Sequence, residues 1–111
     1  MAMAAFVQDG DAVDYTPASN VSAGDVVVQG QLVGVAKKAI AADDLGALAI
    51  NGAFDFAKDT GSATAITAGA KCYWDAANEV ATTTVGANVY IGKAIAAAGA
   101  TDETVRIRLD Q

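Results

Sequence analysis

Histidine is absent from this chain of 111 residues, cysteine and proline occur once each, and 7 basic residues face 13 acidic ones. Without histidine, the commonest general base and the usual zinc ligand are missing. A single cysteine, Cys72, excludes an intrachain disulfide and any CxxC metal site, and suits a reducing compartment. The formal charge of −6 opposes a nucleic-acid backbone or an anionic membrane as partner. No segment approaches the roughly 20 apolar residues needed to span a bilayer. The N-terminus has no basic stretch and reaches Asp9 too soon for a signal peptide. Large apolar side chains are scarce as well: 27 of the 59 hydrophobic residues are Ala. A single domain of this length buries only about two thirds of its unfolded surface. A core built largely of methyl groups therefore gains from covering further area against a partner.

What the chain does contain is β-forming sequence. Val, Ile and Thr together number 27, and 11 glycines interrupt the chain at short intervals. In Thr104-Val105-Arg106-Ile107-Arg108-Leu109 apolar and polar residues alternate with period two, as in a strand with one buried face. Residues 25–28 and 32–36 flank Gly30-Gln31, which predicts a type II′ hairpin. A second hairpin is expected between residues 70–74 and 79–84 across Asp75-Ala76-Ala77-Asn78, followed by a strand over 89–95. Lys37-Lys38-Ala39-Ile40-Ala41-Ala42 is compatible with one short helix ending near Gly46. A weak internal repeat sets Ala23-Gly24 against Ala68-Gly69, 45 residues on. It sets Leu32-Val33-Gly34-Val35-Ala36 against Tyr90-Ile91-Gly92-Lys93-Ala94, 58 residues on, with Leu48-Ala49-Ile50 falling on Arg106-Ile107-Arg108. The difference of 13 is about the length of the second hairpin. The expected fold is all-β, a small β-barrel or β-sandwich built of hairpins with at most one short helix. Residues 1–16 form an N-terminal arm or first strand and residues 17–111 a single β domain.

Few residues suggest chemistry. Asp59-Thr60-Gly61-Ser62 contains the tripeptide of aspartic proteases, whose two carboxylates from two subunits or domains share a proton. A dimeric protease-like enzyme is the alternative this raises. Lys58 beside Asp59 opposes it, because a neighbouring cation favours ionisation over proton sharing, and a surface turn with Gly61 at the unusual backbone angle is the simpler reading. Asp9-Gly10-Asp11 with Asp14 resembles part of a calcium loop, but Val13 and Asn20 stand where oxygen ligands belong. Asp43-Asp44 reads as a turn or cap. Ser19, Ser22 and Ser62 have no His to activate them, Cys72 reads as a small core residue, and no phosphate-binding glycine motif occurs. No catalytic residue, metal or cofactor is expected. Contact residues are expected instead: Phe6 and Val7 in an apolar arm, and Tyr73 and Trp74, whose rings suit an interface.

Taken in order, several segments resemble the capsid cement, or head decoration, proteins of tailed bacteriophages. They are Phe6-Val7-Gln8-Asp9-Gly10-Asp11, Tyr15-Thr16, Ala23-Gly24-Asp25-Val26-Val27-Val28, Leu32-Val33-Gly34-Val35-Ala36, Gly52-Ala53-Phe54-Asp55, Lys58 with Thr60-Gly61, residues 68–75 and Val105-Arg106-Ile107-Arg108-Leu109. The resemblance covers nearly the whole chain. It implies a non-enzymatic, mostly β protein on the outer face of the assembled capsid, partnered by the major capsid protein, often as a homotrimer. It further implies a place on the virion surface after assembly in the bacterial cytoplasm, with no nucleic acid or membrane partner. A β-barrel adaptor in another assembly is the remaining alternative. Residues 37–44 and Cys72 depart from the family pattern, and no site residues transfer from it.

Overall fold

Short runs rich in Val, Ile, Ala and Thr yield nine strands in the computed structural model, which describes residues 3–4, 11–61 and 64–111. They are β1 (Ala12–Tyr15), β2 (Val26–Gln29), β3 (Leu32–Val35), β4 (Gly46–Ala49), β5 (Gly52–Ala57), β6 (Lys71–Asp75), β7 (Val80–Thr82), β8 (Val89–Ala94) and β9 (Thr104–Leu109). Two antiparallel sheets result, ordered β1-β4-β3-β2 and β5-β9-β8-β6-β7. The sheets do not close on each other, so of the two expected architectures the barrel gives way to a sandwich-like pair. The helix considered for residues 37–42 does not form. That segment bends at Lys37 and Lys38, and Ile40 exchanges backbone hydrogen bonds of 2.8 and 2.9 Å with Val21.

Both predicted hairpins are present. Gln29 pairs with Leu32 across a two-residue loop in which Gly30 has φ +61° and Gln31 has none of the positive φ that a type I′ turn needs, in keeping with type II′. In the second hairpin Asp75 pairs with Val80. The Asp75 carboxylate accepts the backbone N–H of Ala77 and of Asn78 and the Asn78 side-chain amide, while Glu79 takes φ +56°. Strand β9 buries Val105, Ile107 and Leu109 and exposes Thr104, Arg106 and Arg108, as the alternation requires.

The internal repeat is structural. Gly24 N–H donates to Ala36 O at 2.6 Å as Gly69 N–H donates to Ala94 O at 2.7 Å, and Ala36 N–H meets Asp25 O as Ala94 N–H meets Ala70 O, both at 3.0 Å. The Val21–Ile40 bridge recurs as Ile66–Ala98. The pairs Val26–Val35 and Val27–Gly34 recur as Lys71–Lys93 and Cys72–Gly92. Strand order β1-β4-β3-β2 thus repeats as β5-β9-β8-β6, with β7 and its flanking loops as the insertion. One alignment is corrected. Val35 pairs with Ala49 where Lys93 pairs with Arg108, so Leu48 corresponds to Ile107 and not to Arg106, and both are buried. The two units diverge one residue further along the chain than matching sequence alone implies.

The units stack. Val33 and Val35 of the first sheet join Phe56, Cys72, Trp74, Ile91, Ile107 and other residues of the second in the main core, with Val26 and Val28 packed beside them. A smaller cluster on the opposite side of the first sheet gathers Ala36, Ile40 and Leu48 with Val13, Tyr15, Val21 and Val27. The Gln111 side chain joins the chain end to the first unit. Its amide accepts from Val33 N–H and donates to Val33 O, both at 2.6 Å, as a neighbouring strand would.

Candidate functional site

Asp59-Thr60-Gly61 lies in an exposed turn just beyond β5. Gly61 has φ +118°, and its N–H donates to Ala100 O. Lys58 is buried, and its ammonium donates to Asp59 O at 2.6 Å and to Thr64 Oγ1 and Asp102 O at 3.3 Å. The lysine therefore ties the backbone of the turn to the loop before β9 and leaves the Asp59 carboxylate in solvent. Nothing here gives that carboxylate the enclosed setting in which one proton is shared between two acids.

The other residues singled out in the sequence are dispersed. Phe6, Val7, Asp9, Gly10 and Ser62 lie outside the described residues. Asp11 and Asp14 are exposed, and among the described residues no group of three His, Cys, Asp or Glu side chains is placed to hold a metal. Asp43 takes φ +67° and donates its N–H to Pro17 O, while Asp44 N–H meets Ala41 O, so the pair forms a turn. Ser22 N–H donates to the Asp25 carboxylate. Cys72 is fully buried in β6, where desolvation pushes its thiol pKa up against the lowering effect of a backbone hydrogen bond from Ala94. Trp74 points into the core, its ring 5.9 Å from Phe56. Tyr73, its neighbour in β6, points the other way.

That other direction is the outer face of the second sheet, and register organises it. Lys71 sits opposite Lys93, and Lys93 opposite Arg108, which sets three exposed cations in one row across β6, β8 and β9. Beyond Cys72 the register slips by one residue, a bulge at Ile91-Gly92 that keeps Ile91 inside and brings Tyr90 opposite Tyr73. The two tyrosine rings meet edge to face at 5.7 Å. On the other side of the cationic row, Arg106 grips Asp55 through two hydrogen bonds of 2.9 and 3.2 Å. That bidentate bond, opposed by slight desolvation and aided by charge, holds the Asp55 carboxyl below the usual carboxylate range. Arg108 approaches Asp110 only at 4.0 Å, and among the described residues neither Lys71 nor Lys93 has an ion pair. Sequence reading misses this row because its members are far apart in the chain. The alternation around Arg106 and Arg108 was visible, but their neighbours on the sheet follow only from strand order.

A concave region lies between the open edges of β2 and β5. This groove of about 540 Å³ is lined by Val26, Val28, Phe54, Phe56 and Trp74, with Asp25 and Glu79 at its margin.

Compared with known protein families, residues 7–109 match the model of the phage cement proteins. The chain belongs to the phage cement protein family. No curated protein and no solved structure matches it significantly. The family match spans both repeat units and the inserted hairpin, so the cement protein is the duplicated fold as a whole. Membership gives the chain a structural role at the phage capsid. The Asp59 turn of this cement protein belongs to the matched region like any other loop.

Proposed function

We propose that the protein binds the outer face of the assembled capsid, contacts neighbouring major capsid subunits as a homotrimer at local threefold positions, and stabilises the shell against internal pressure without enzymatic activity. It would reside on the virion surface after assembly in the host cytoplasm. The family match over residues 7–109 carries this reading. The physical character of the chain supports it. Among the described residues, five of the seventeen buried apolar ones are Ala, and a module with so little bulk to bury gains from docking. Binding only the assembled lattice shifts the assembly equilibrium towards it by mass action, so many weak contacts suffice.

Within this reading the apolar segment at residues 2–7, with Phe6 and Val7, and the outward-facing Tyr73 are contact residues, whereas Trp74, buried against Phe56, serves the core. The test is cosedimentation of purified protein with expanded, undecorated capsids, scored as bound copies per shell. Saturation at a ratio that matches the shell's symmetry is expected, and deletion of residues 2–8 should weaken binding while the fold persists. Absence of binding to the cognate shell removes the reading; unchanged occupancy after the deletion removes the arm's part in it.

A further inference from the structure

The duplicated fold exposes a difference between its two units. In the first, Val26, Val28 and Val35 cover the main core. The corresponding positions of the second unit are Lys71, Tyr73 and Lys93, which face outward. A terminal sheet needs a polar outer face to end the stack, but either sign of charge would serve. This chain has 13 acidic residues and 7 basic ones, yet it places Lys71, Lys93, Arg106 and Arg108 here. Set against Asp55 and Asp110, these four give this face a charge of +2, which leaves −8 on the remainder of a chain totalling −6. The Asp75 carboxylate at the far end of β6 is turned into its own hairpin loop.

Like charges directly opposite one another on neighbouring strands destabilise a sheet, and here two such pairs adjoin: Lys71 with Lys93, and Lys93 with Arg108. Carboxylates supplied from outside would relieve the repulsion. Beside the row, Tyr73 and Tyr90 are half-buried and in contact, so they present aromatic surface already held in place, and Tyr and Arg are the residues that most often anchor interfaces.

We propose that the outer face of the second sheet, centred on Lys71, Lys93 and Arg108 and flanked by Tyr73 and Tyr90, docks onto a carboxylate-rich protein surface. Resting on the cement reading, this makes the partner an acidic patch on the outside of the capsid shell. Because the rest of the molecule carries a net negative charge, this face would be favoured at such a patch, and charge would set the orientation of docking as well as its rate.

The test compares two variants with the same net charge, Lys71→Glu/Lys93→Glu and Lys37→Glu/Lys38→Glu, for binding to expanded, undecorated capsids at low and high salt. All four lysines are exposed. The first variant should lose affinity by about tenfold or more and lose much of the salt dependence, while the second stays near wild type. Equal losses in both, or none in the first, overturn the proposal. If the first variant still binds capsids but abolishes self-association in sedimentation, the face joins copies of this chain and the proposal also falls. Failure of the wild type to bind would instead remove the cement reading on which this inference rests. Should the Glu variant not fold, Lys71→Gln/Lys93→Gln, checked for a native melting transition, reads the same effect with a smaller loss.

Discussion

Gly92 is the position where chemistry leaves least choice. Its φ of +150° belongs to a region that side-chain-bearing residues rarely occupy, and a Cβ there would collide with the Arg108 backbone carbonyl. Gly69 also has positive φ, +86°, but its Cβ would enter open space. Gly92→Ala should therefore cost about 3 kcal/mol or more in urea unfolding, combining backbone strain with a clash that only backbone can relieve. Gly69→Ala should cost about 1–2 kcal/mol, the penalty of the backbone angle alone. Similar losses at the two sites would show that the close strand approach at Gly92 is not what demands glycine. Asp55 makes a different kind of prediction. Its carboxyl is held below the usual range first by the hydrogen bond from Arg106. A depressed folded pKa contributes stability that is present above the unfolded value of about 3.9 and is lost as pH falls through the folded one. Carboxyl NMR titration should place Asp55 below ordinary aspartates and return it towards them in Arg106→Gln; an unmoved midpoint would assign the shift elsewhere.

Strand β9 was legible in the sequence because one face meets the core and the other meets water, so burial imposes a period of two. Both hairpins were legible from glycine, asparagine and aspartate at their turns. Strand β5 was not, since Gly52, Ala53 and Ala57 dilute the signal of Phe54 and Phe56, and its place comes from six register pairs with β9. The segment around Ile40 resembled a helix for want of any local feature against it; its non-helical form comes from the Val21 bridge and from the Leu48 cluster, both remote in sequence. The duplication could be glimpsed in matched glycines, and hydrogen-bond geometry decided it. Of the expected contact residues, Tyr73 lies on the outward face and Trp74 in the core, while the cationic row beside Tyr73 depended on register that no local pattern encodes. The junction of the units supplies a prediction of its own. Gln111→Glu replaces the amide that donates to Val33 O with an acceptor, and should lower stability by about 1 kcal/mol at neutral pH, with less effect in acid where the side chain regains a proton. Equal stability of variant and wild type at neutral pH would show that the bridge to β3 contributes nothing.

For the whole molecule, a small core with many alanines and the proposed role on a lattice are compatible. The largest fully buried side chains are Leu48, Ile91, Ile107 and Leu109, with Val33 and Cys72, and among the aromatic residues described only Phe56 and Trp74 are buried. On the proposed reading such a module would act by number. A ligand that binds only the assembled state adds stability as the logarithm of its concentration over its dissociation constant, and on a shell that gain is repeated at every site. The segregation of charge, basic on one sheet face and acidic elsewhere, would orient each copy as it lands. The most direct measurement is scanning calorimetry of expanded, undecorated shells with increasing amounts of the protein. The shell's own melting transition should rise and then level off once the sites are filled. A shell transition that stays where it was, with the protein bound in a fixed ratio, would contradict a cementing role.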